Sequence, residues 1–288
     1  MEVQSLSFSD SHYPLWLKEI FAAPETLYYM GNVEAFARPC IGIVGTRRCT
    51  PYGAAQAHHL AEGLSQQGFC VVSGLAFGID AAAHAGAMNG SGGTIAVVAQ
   101  ALPDIMPKHH WPLVKRILDS GGLVCSERNP AKPGFTQKHD YLIRNRLISG
   151  LSQGIVVVEA PYKSGARNTA NHAVDQNREV MAIPGRVTDE QSQGCLDLLQ
   201  KGAHLVRSAQ DVLRILGHEW KTGSEKKKAQ LEEIHLKILA ELSLDSKSAA
   251  QLGENFSGEL AQMYQALTEL EWWGWIREVN LKYVRLIP

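Results

Sequence analysis

IGIVGTRRCTPYG, residues Ile41 to Gly53, is the stretch from which the fold can be read. A short apolar run ends at Gly45, a polar turn carries Thr46, Arg47 and Arg48, and a helical pattern opens at Thr50 with Pro51 in its first turn. This is a strand running into a helix N-terminus through a turn of small residues. Unpaired backbone N–H groups at such a start, aligned with the helix dipole, favour anions, and an arginine in the same turn adds a fixed charge. The local chemistry points to a phosphate site. The turn has neither the G-x-G-x-x-G fingerprint nor the Walker lysine, so it names no particular nucleotide. The blander alternative has the glycines only permitting a tight turn and the arginines solvated.

Outward from this stretch, apolar runs alternate with helical patterns. Strands are expected at 40–44, 69–73, 94–99, 122–126, 154–159 and 179–183, with a short seventh near His204 to Val206. Helices are expected at 51–66, 79–89, 110–119, 140–151, 166–177, 194–201 and 208–216. Runs that are apolar throughout imply strands buried on both faces, hence a parallel sheet covered by helices. Right-handed crossovers then make the domain doubly wound and Rossmann-like, with ligands bound beyond the carboxyl ends of the strands. The turns at that edge, among them GTRR, SGLAFGID and EAPYKSGARNTA, are rich in Gly, Ser, Thr, Lys and Arg, whereas the opposite turns SQQG and NGSGG carry no charge.

The 288-residue chain therefore divides into a lead-in at 1–39 packed on the main domain, a Rossmann-like domain at 40–216, an exposed linker at 217–230 and a small domain at 231–288. In the last, helical spacing at 231–242, 247–253 and 258–273 precedes a hairpin pattern from Trp275 to Pro288, a winged-helix-like order. The fold class expected is α/β, an extended Rossmann-like doubly wound mostly parallel sheet with a small C-terminal winged-helix-like domain.

Composition bounds the function. Hydrophobic residues make up 45% and charged residues 20%, as in a soluble globular chain. No apolar run is long enough to span a bilayer and MEVQSLSFSD lacks a basic-then-apolar signal pattern, so a cytoplasmic protein without membrane contact is expected. Five scattered cysteines without C-x-x-C spacing, and histidines in adjacent pairs, suggest neither a disulfide frame nor a metal site. No cofactor is expected. From Lys138 to Arg167 five bases face two acids, a balance of +3, whereas from Leu231 onward nine acids face five bases, a balance of -4. An anion-binding surface belongs to the first region.

IVGTRRCTPYG, VSGLAFGIDAAAHAGAM, GGLVCSE, RNRLISGLS, VVVEAPYKSGARNTA, AIPGR and SQGCLDLLQKGA, in this order and spacing, resemble the DNA-processing protein A (DprA, or Smf) family over residues 12–214. The resemblance implies an extended Rossmann fold that binds single-stranded DNA without cutting it, dimerises, and loads a RecA-type recombinase during natural transformation. Members commonly begin with an extra helical domain, for which the residues before Tyr13 leave no room. Members often carry an aromatic-proline and an asparagine where this chain has Met106, Pro107, Lys108 and His109; the usual phenylalanine is Tyr141, and the asparagine usual after G-C is Asp197.

Cations that track phosphates and aromatic faces that stack bases are what a single strand requires. Arg47 is the first phosphate candidate, backed by the Gly45 and Thr46 backbone and the helix start. Lys108 and Lys138 extend a basic groove, and Tyr141 either stacks bases or packs in the core. Arg144 and Arg146 are two apart on a helix and point opposite ways; Arg144 is assigned to DNA and Arg146 to an internal pair with a carboxylate such as Glu159. Ser164, Gly165 and Arg167 form a second strand-to-helix turn able to hold phosphate.

Asp80 and His84, one helical turn apart, read as structural because no nucleophile or oxyanion arrangement accompanies them. In the terminal domain the helix at 258–273 offers Glu259, Glu269 and Glu271 and no Lys or Arg, so a protein-contact or self-association role is expected there, with Trp272, Trp273 and Trp275 as an apolar anchor or as core. Partners expected are single-stranded DNA, a RecA-type recombinase and a second copy of the chain. The competing class is a nucleotide-binding or nucleotide-hydrolysing enzyme of a related Rossmann family, against which stands SGARNTA in place of a P-G-G-x-G-T signature.

Overall fold

Short apolar runs become strands because alternate side chains can be buried on two opposite layers. In the computed structural model, which describes residues 2–132, 134–220, 233–242, 246–256, 260–272, 276–279 and 281–285, such runs form the centre of a nine-stranded sheet whose edge strands are more exposed. The strands are β1 Gln4–Ser7, β2 Thr26–Gly31, β3 Cys40–Val44, β4 Cys70–Ser73, β5 Thr94–Val97, β6 Leu123–Ser126, β7 Gly154–Val157, β8 Glu179–Ala182 and β9 His204–Leu205. The helices of this unit are α1 Leu15–Lys18, α2 Pro51–Gln66, α3 Ile79–Ala87, α4 Trp111–Asp119, α5 Lys138–Gly150, α6 Gly165–Asp175, α7 Gln193–Gln200 and α8 Ala209–Ile215.

Sheet order is β1-β2-β6-β5-β4-β3-β7-β8-β9. From β6 to β9 all neighbours are parallel. Winding runs outward from β3 in one direction and from β7 in the other, which is the doubly wound α/β pattern. All five residues of β3 are buried, Cys40 and Val44 in one layer and Ile41 and Ile43 in the other. The first layer packs against Leu147 and Ile148 of α5 and Ala170 and Ala173 of α6; the second packs against Leu60 and Leu64 of α2, Ile79 and Ala83 of α3 and Val212 of α8.

The lead-in does more than pack against this body. Its TLYYMG segment adds β2 antiparallel to β6, and β1 adds outside β2. Alternation in TLYYMG is masked by consecutive aromatics, because Tyr29 and Met30 are both buried, on opposite layers. The buried Tyr13 hydroxyl donates to the Pro24 carbonyl at 2.6 Å, tying the segment down.

The chain divides into two units, Met1–Trp220 and Lys221–Pro288. In the second, α9 Glu233–Glu241, α10 Ala249–Gly253 and α11 Leu260–Trp272 precede an antiparallel hairpin of β10 Ile276–Val279 and β11 Lys282–Arg285. Ile238, Leu252, Met263, Leu267, Leu270 and Ile276 form its core. Ser248 opens α10 with a reciprocal capping box to Gln251. Of the acidic residues on the expected reading helix, Glu269 contacts His235 at 2.9 Å and Glu271 accepts from the Glu278 N–H at 3.0 Å. Glu259, Trp273, Trp275 and the Trp272 side chain, and with them the apolar anchor, lie outside the described residues, as does the linker segment 221–230.

Candidate nucleic-acid interface

β3 and β7 lie side by side, but their crossovers leave toward opposite edges of the sheet. The turns that follow them therefore part, which opens a crevice at the switch point. A cavity of about 690 Å³ fills it. Gly45, Thr46, Arg47 and Arg48 line it from the turn after β3; Lys163, Ser164 and Gly165 from the turn after β7; and Lys138, Tyr141 and Arg144 from α5. Two turns separated by over a hundred residues and one crossing helix thus share one cleft.

Arg47, Arg48, Lys138 and Lys163 are exposed, and among the described residues none of them joins an ion pair. Four free cations around one crevice make a strongly positive site. Arg47 lies 5.6 Å from the centre of the Tyr141 ring. That ring is half-buried, and its hydroxyl accepts from Gln100 Nε2 at 2.8 Å, so it is held in place while part of it stays open. The first turn of α6 also opens on the cavity. Ser164 caps it by accepting from the Ala166 N–H at 3.2 Å, and a Cβ placed on Gly165 would meet nothing within 4 Å.

The start of α2 is different, contrary to the sequence reading. The Glu159 carboxylate sits there, accepting from the Thr50 N–H at 2.9 Å and the Thr50 hydroxyl at 2.6 Å. A Cβ on Gly53 would fall 2.3 Å from that carboxyl group. The Thr46 N–H is spent on the Glu159 carbonyl at 2.7 Å. The protein's own carboxylate occupies the helix terminus, so the anion-attracting power of this turn rests on the arginine side chains.

The two arginines of RNR do point opposite ways, but their roles need correction. Arg144 is only 6% exposed and donates to the carbonyls of Gly74, at 2.8 Å, and Val97. Burial lowers its pKa to about 10, a drop opposed by the nearby Asp80 carboxylate. Burial likewise raises the pKa of Asp80, against the pull of Arg144, and the Asp80 carboxylate accepts from the Gly74 N–H at 3.1 Å and the Ala76 N–H at 3.3 Å. Arg144 is thus a brace beneath the cleft that ties α5 to the ends of β4 and β5. Arg146 pairs internally, with Glu127 in place of Glu159. Burial raises the Glu127 pKa and the Arg146 charge pulls it down.

Arg167 and Lys108 do not line the main cavity. Arg167 pairs with Asp197, donates to the Tyr162 carbonyl at 2.5 Å and lies 4.4 Å from the centre of the Tyr162 ring. Asp197 also pairs with Lys201 at 3.0 Å. Lys108 lines a separate cavity of about 420 Å³ with Met106 and Trp111. Asp80 and His84 hold structural positions: the latter's Nδ1 lies 2.7 Å from the Thr94 hydroxyl, and burial lowers the His84 pKa to about 3.

Sequence reasoning passes over Arg48, Lys163 and Asn145 as site residues. Lys163 enters only the local charge count, although it stands directly before the Ser164 cap. Asn145 is buried and donates to the Gly165 carbonyl at 3.3 Å and the Asn168 side chain at 3.1 Å, which locks α5 to the start of α6. Its position between two arginines was the available signal.

Fold and site together define a class: a doubly wound α/β protein with a basic cleft at its switch point. The chain belongs to the DNA recombination-mediator protein A family, whose model matches residues 4–217. It is 42% identical over 212 residues to the DNA processing protein DprA of Streptococcus pneumoniae, covering 73% of each chain. An X-ray structure of the Streptococcus pneumoniae protein is similar with a TM-score of 0.69 and 39% identity, over 77% of this chain and 75% of that one. A Helicobacter pylori DNA processing protein A, studied for its single-stranded DNA binding mode, is similar with a TM-score of 0.66 and 29% identity, over 75% of this chain and 95% of that one.

Proposed function

We propose that this protein binds single-stranded DNA in the switch-point cleft, protects incoming strands and loads a RecA-type recombinase during natural transformation and recombination, without catalysing a reaction. Phosphates lie along Arg47, Arg48, Lys138 and Lys163, and the open first turn of α6 at Ser164 and Gly165 receives a further one. Gly45 and Thr46 keep the turn narrow enough for the strand to approach, and Tyr141 offers a face to a base. Arg144 and Arg167 hold this arrangement from below and from the side. The chain acts as a homodimer and has no membrane role; among the described residues no helix is long and apolar enough to cross a bilayer.

The observation that carries the reading is four cations around one cleft, none of them in an ion pair among the described residues, with an aromatic ring on the same wall. Such a surface suits a flexible polyanion with exposed bases, since stacking contributes about 1–3 kcal/mol per base and requires bases that are not already paired. Family membership supports the mediator part, and the Helicobacter pylori relative supports the choice of a single strand. The test is competition between single- and double-stranded oligonucleotides of equal length, together with a search for hydrolysis of nucleoside monophosphates. Preference for the single strand without hydrolysis is expected; hydrolysis, or equal affinity for both DNA forms, overturns the proposal.

A further inference from the structure

Beyond the cleft stands a cluster of rings that the switch-point site does not use. Phe77, in the turn after β4, is 47% exposed. Its ring stacks on His109 with centroids 4.8 Å apart and planes 20° from parallel. His110 meets Phe77 edge-on at 4.4 Å, and the two histidines touch at 5.2 Å. We propose that Phe77, His109 and His110 form a second nucleobase-stacking subsite, which takes a base of the same single strand whose phosphate lies at Arg47. The proposal rests on the single-strand reading above.

Contiguity is the first support. A cavity of about 120 Å³ shares Arg47 and Tyr141 with the main cleft and reaches Phe77 and His110. A cavity of about 300 Å³ continues past Phe77 to the exposed Arg116. Cations thus stand at both ends of the ring cluster, and among the described residues no acid lines either cavity. A strand leaving Arg47 in this direction meets aromatic faces followed by a positive charge, which is the pattern single-stranded binding uses.

Rigidity is the second. Gly78 has φ +74°, and a Cβ there would fall 2.4 Å from the Thr46 carbonyl oxygen and 2.8 Å from that of Arg47. The Ile79 N–H donates to the Thr46 carbonyl at 3.3 Å. The residue after Phe77 is therefore wedged against the Arg47 turn, so the backbone segments that carry the ring and the guanidinium are held side by side. The third support is polar: the Nε2 atom of His110 is buried, and among the described residues it has no hydrogen-bond partner, in a ring that borders both cavities. A base edge carries the donors and acceptors such a nitrogen can use.

The experiment uses fluorescent oligonucleotides in which one abasic position is moved along the strand, with wild type, Phe77→Ala, Phe77→Trp and Arg47→Ala proteins. Wild type is expected to lose affinity on the order of tenfold at one or two abasic positions, the value of a single stacked base. Phe77→Ala is expected to bind the intact strand about tenfold more weakly and to be indifferent to the abasic site at one of those positions, while Phe77→Trp restores the sensitivity. Equal abasic sensitivity in wild type and Phe77→Ala at every position overturns the subsite, as does a loss in Phe77→Ala that is the same for intact and abasic strands. Arg47→Ala separates the two levels. If it binds like wild type, the cleft reading has failed; if it binds weakly while Phe77→Ala matches wild type, only the stacking subsite has failed. Because Phe77 is half exposed, its truncation leaves the core intact.

Discussion

Replacing Arg47 by alanine should change the salt dependence of DNA binding by a calculable step. Neutralising a phosphate on a single strand releases counterions and contributes about -0.7 to the slope of log affinity against log salt. Four exposed cations without ion-pair partners among the described residues border the cleft, Arg47, Arg48, Lys138 and Lys163, whereas Arg146 and Arg167 are spent on carboxylates and Arg144 on buried carbonyls. The slope for wild type is then about -2.8, so affinity should fall roughly 50-fold between about 50 and about 200 mM salt. Arg47→Ala should reduce the slope to about -2.1 and the fall to roughly 20-fold. Fluorescence anisotropy with a labelled oligothymidine across a salt series reads both numbers. A slope unchanged by Arg47→Ala refutes the reasoning, and so does a slope of zero in wild type.

The buried brace and the buried histidine give two further expectations. Arg144→Ala should lower stability by about 3–5 kcal/mol, because it strands the buried Asp80 without its countercharge and leaves two carbonyls without a donor, while the salt slope of the folded protein stays that of wild type; urea denaturation within about 1 kcal/mol of wild type would count against the brace. His84 is buried with a folded pKa of about 3 against 6.5 when unfolded, shifted by burial first and Arg144 second. The folded state therefore disfavours the proton, so the contribution is fully present above pH 6.5 and is lost as pH falls toward the folded value. From about pH 7 to about pH 5 this amounts to about 2 kcal/mol, and His84→Leu should flatten that part of the urea-midpoint profile; a slope equal to that of wild type would remove His84 as its source.

Much of the sheet was legible because its determinants are local. The runs CIGIV, CVVS, TIAV, LVCS and GIVV are apolar but for one terminal Ser or Thr in three of them, and burial on two layers follows from that pattern. Thr50 accepting from the Gly53 N–H at 3.0 Å and Ser164 capping α6 are likewise readable from a hydroxyl placed before a helix pattern. Strand β2 escaped notice because the aromatics of the lead-in obscure the two-residue period and its partner β6 lies almost a hundred residues further on, and β1, QSLS, buries only Leu6 and pairs with β2 alone.

At the site, amino-acid order was enough to bring the turns after β3 and β7 to one edge, where Arg47, Lys138, Tyr141, Ser164 and Gly165 line the crevice, since any doubly wound sheet opens its crevice where winding reverses. Tertiary structure alone decided which charges remained free. Glu159 reaches Thr50 across 109 positions and takes the α2 terminus, Arg144 reaches the Gly74 carbonyl across 70, and Arg167 reaches Asp197 across 30. A helical repeat reveals that two arginines face opposite ways without telling which face is buried. The physical reason is range: burial patterns and turn preferences act between neighbours in sequence, whereas desolvation and ion pairing depend on which distant groups the packed fold brings within a few ångströms.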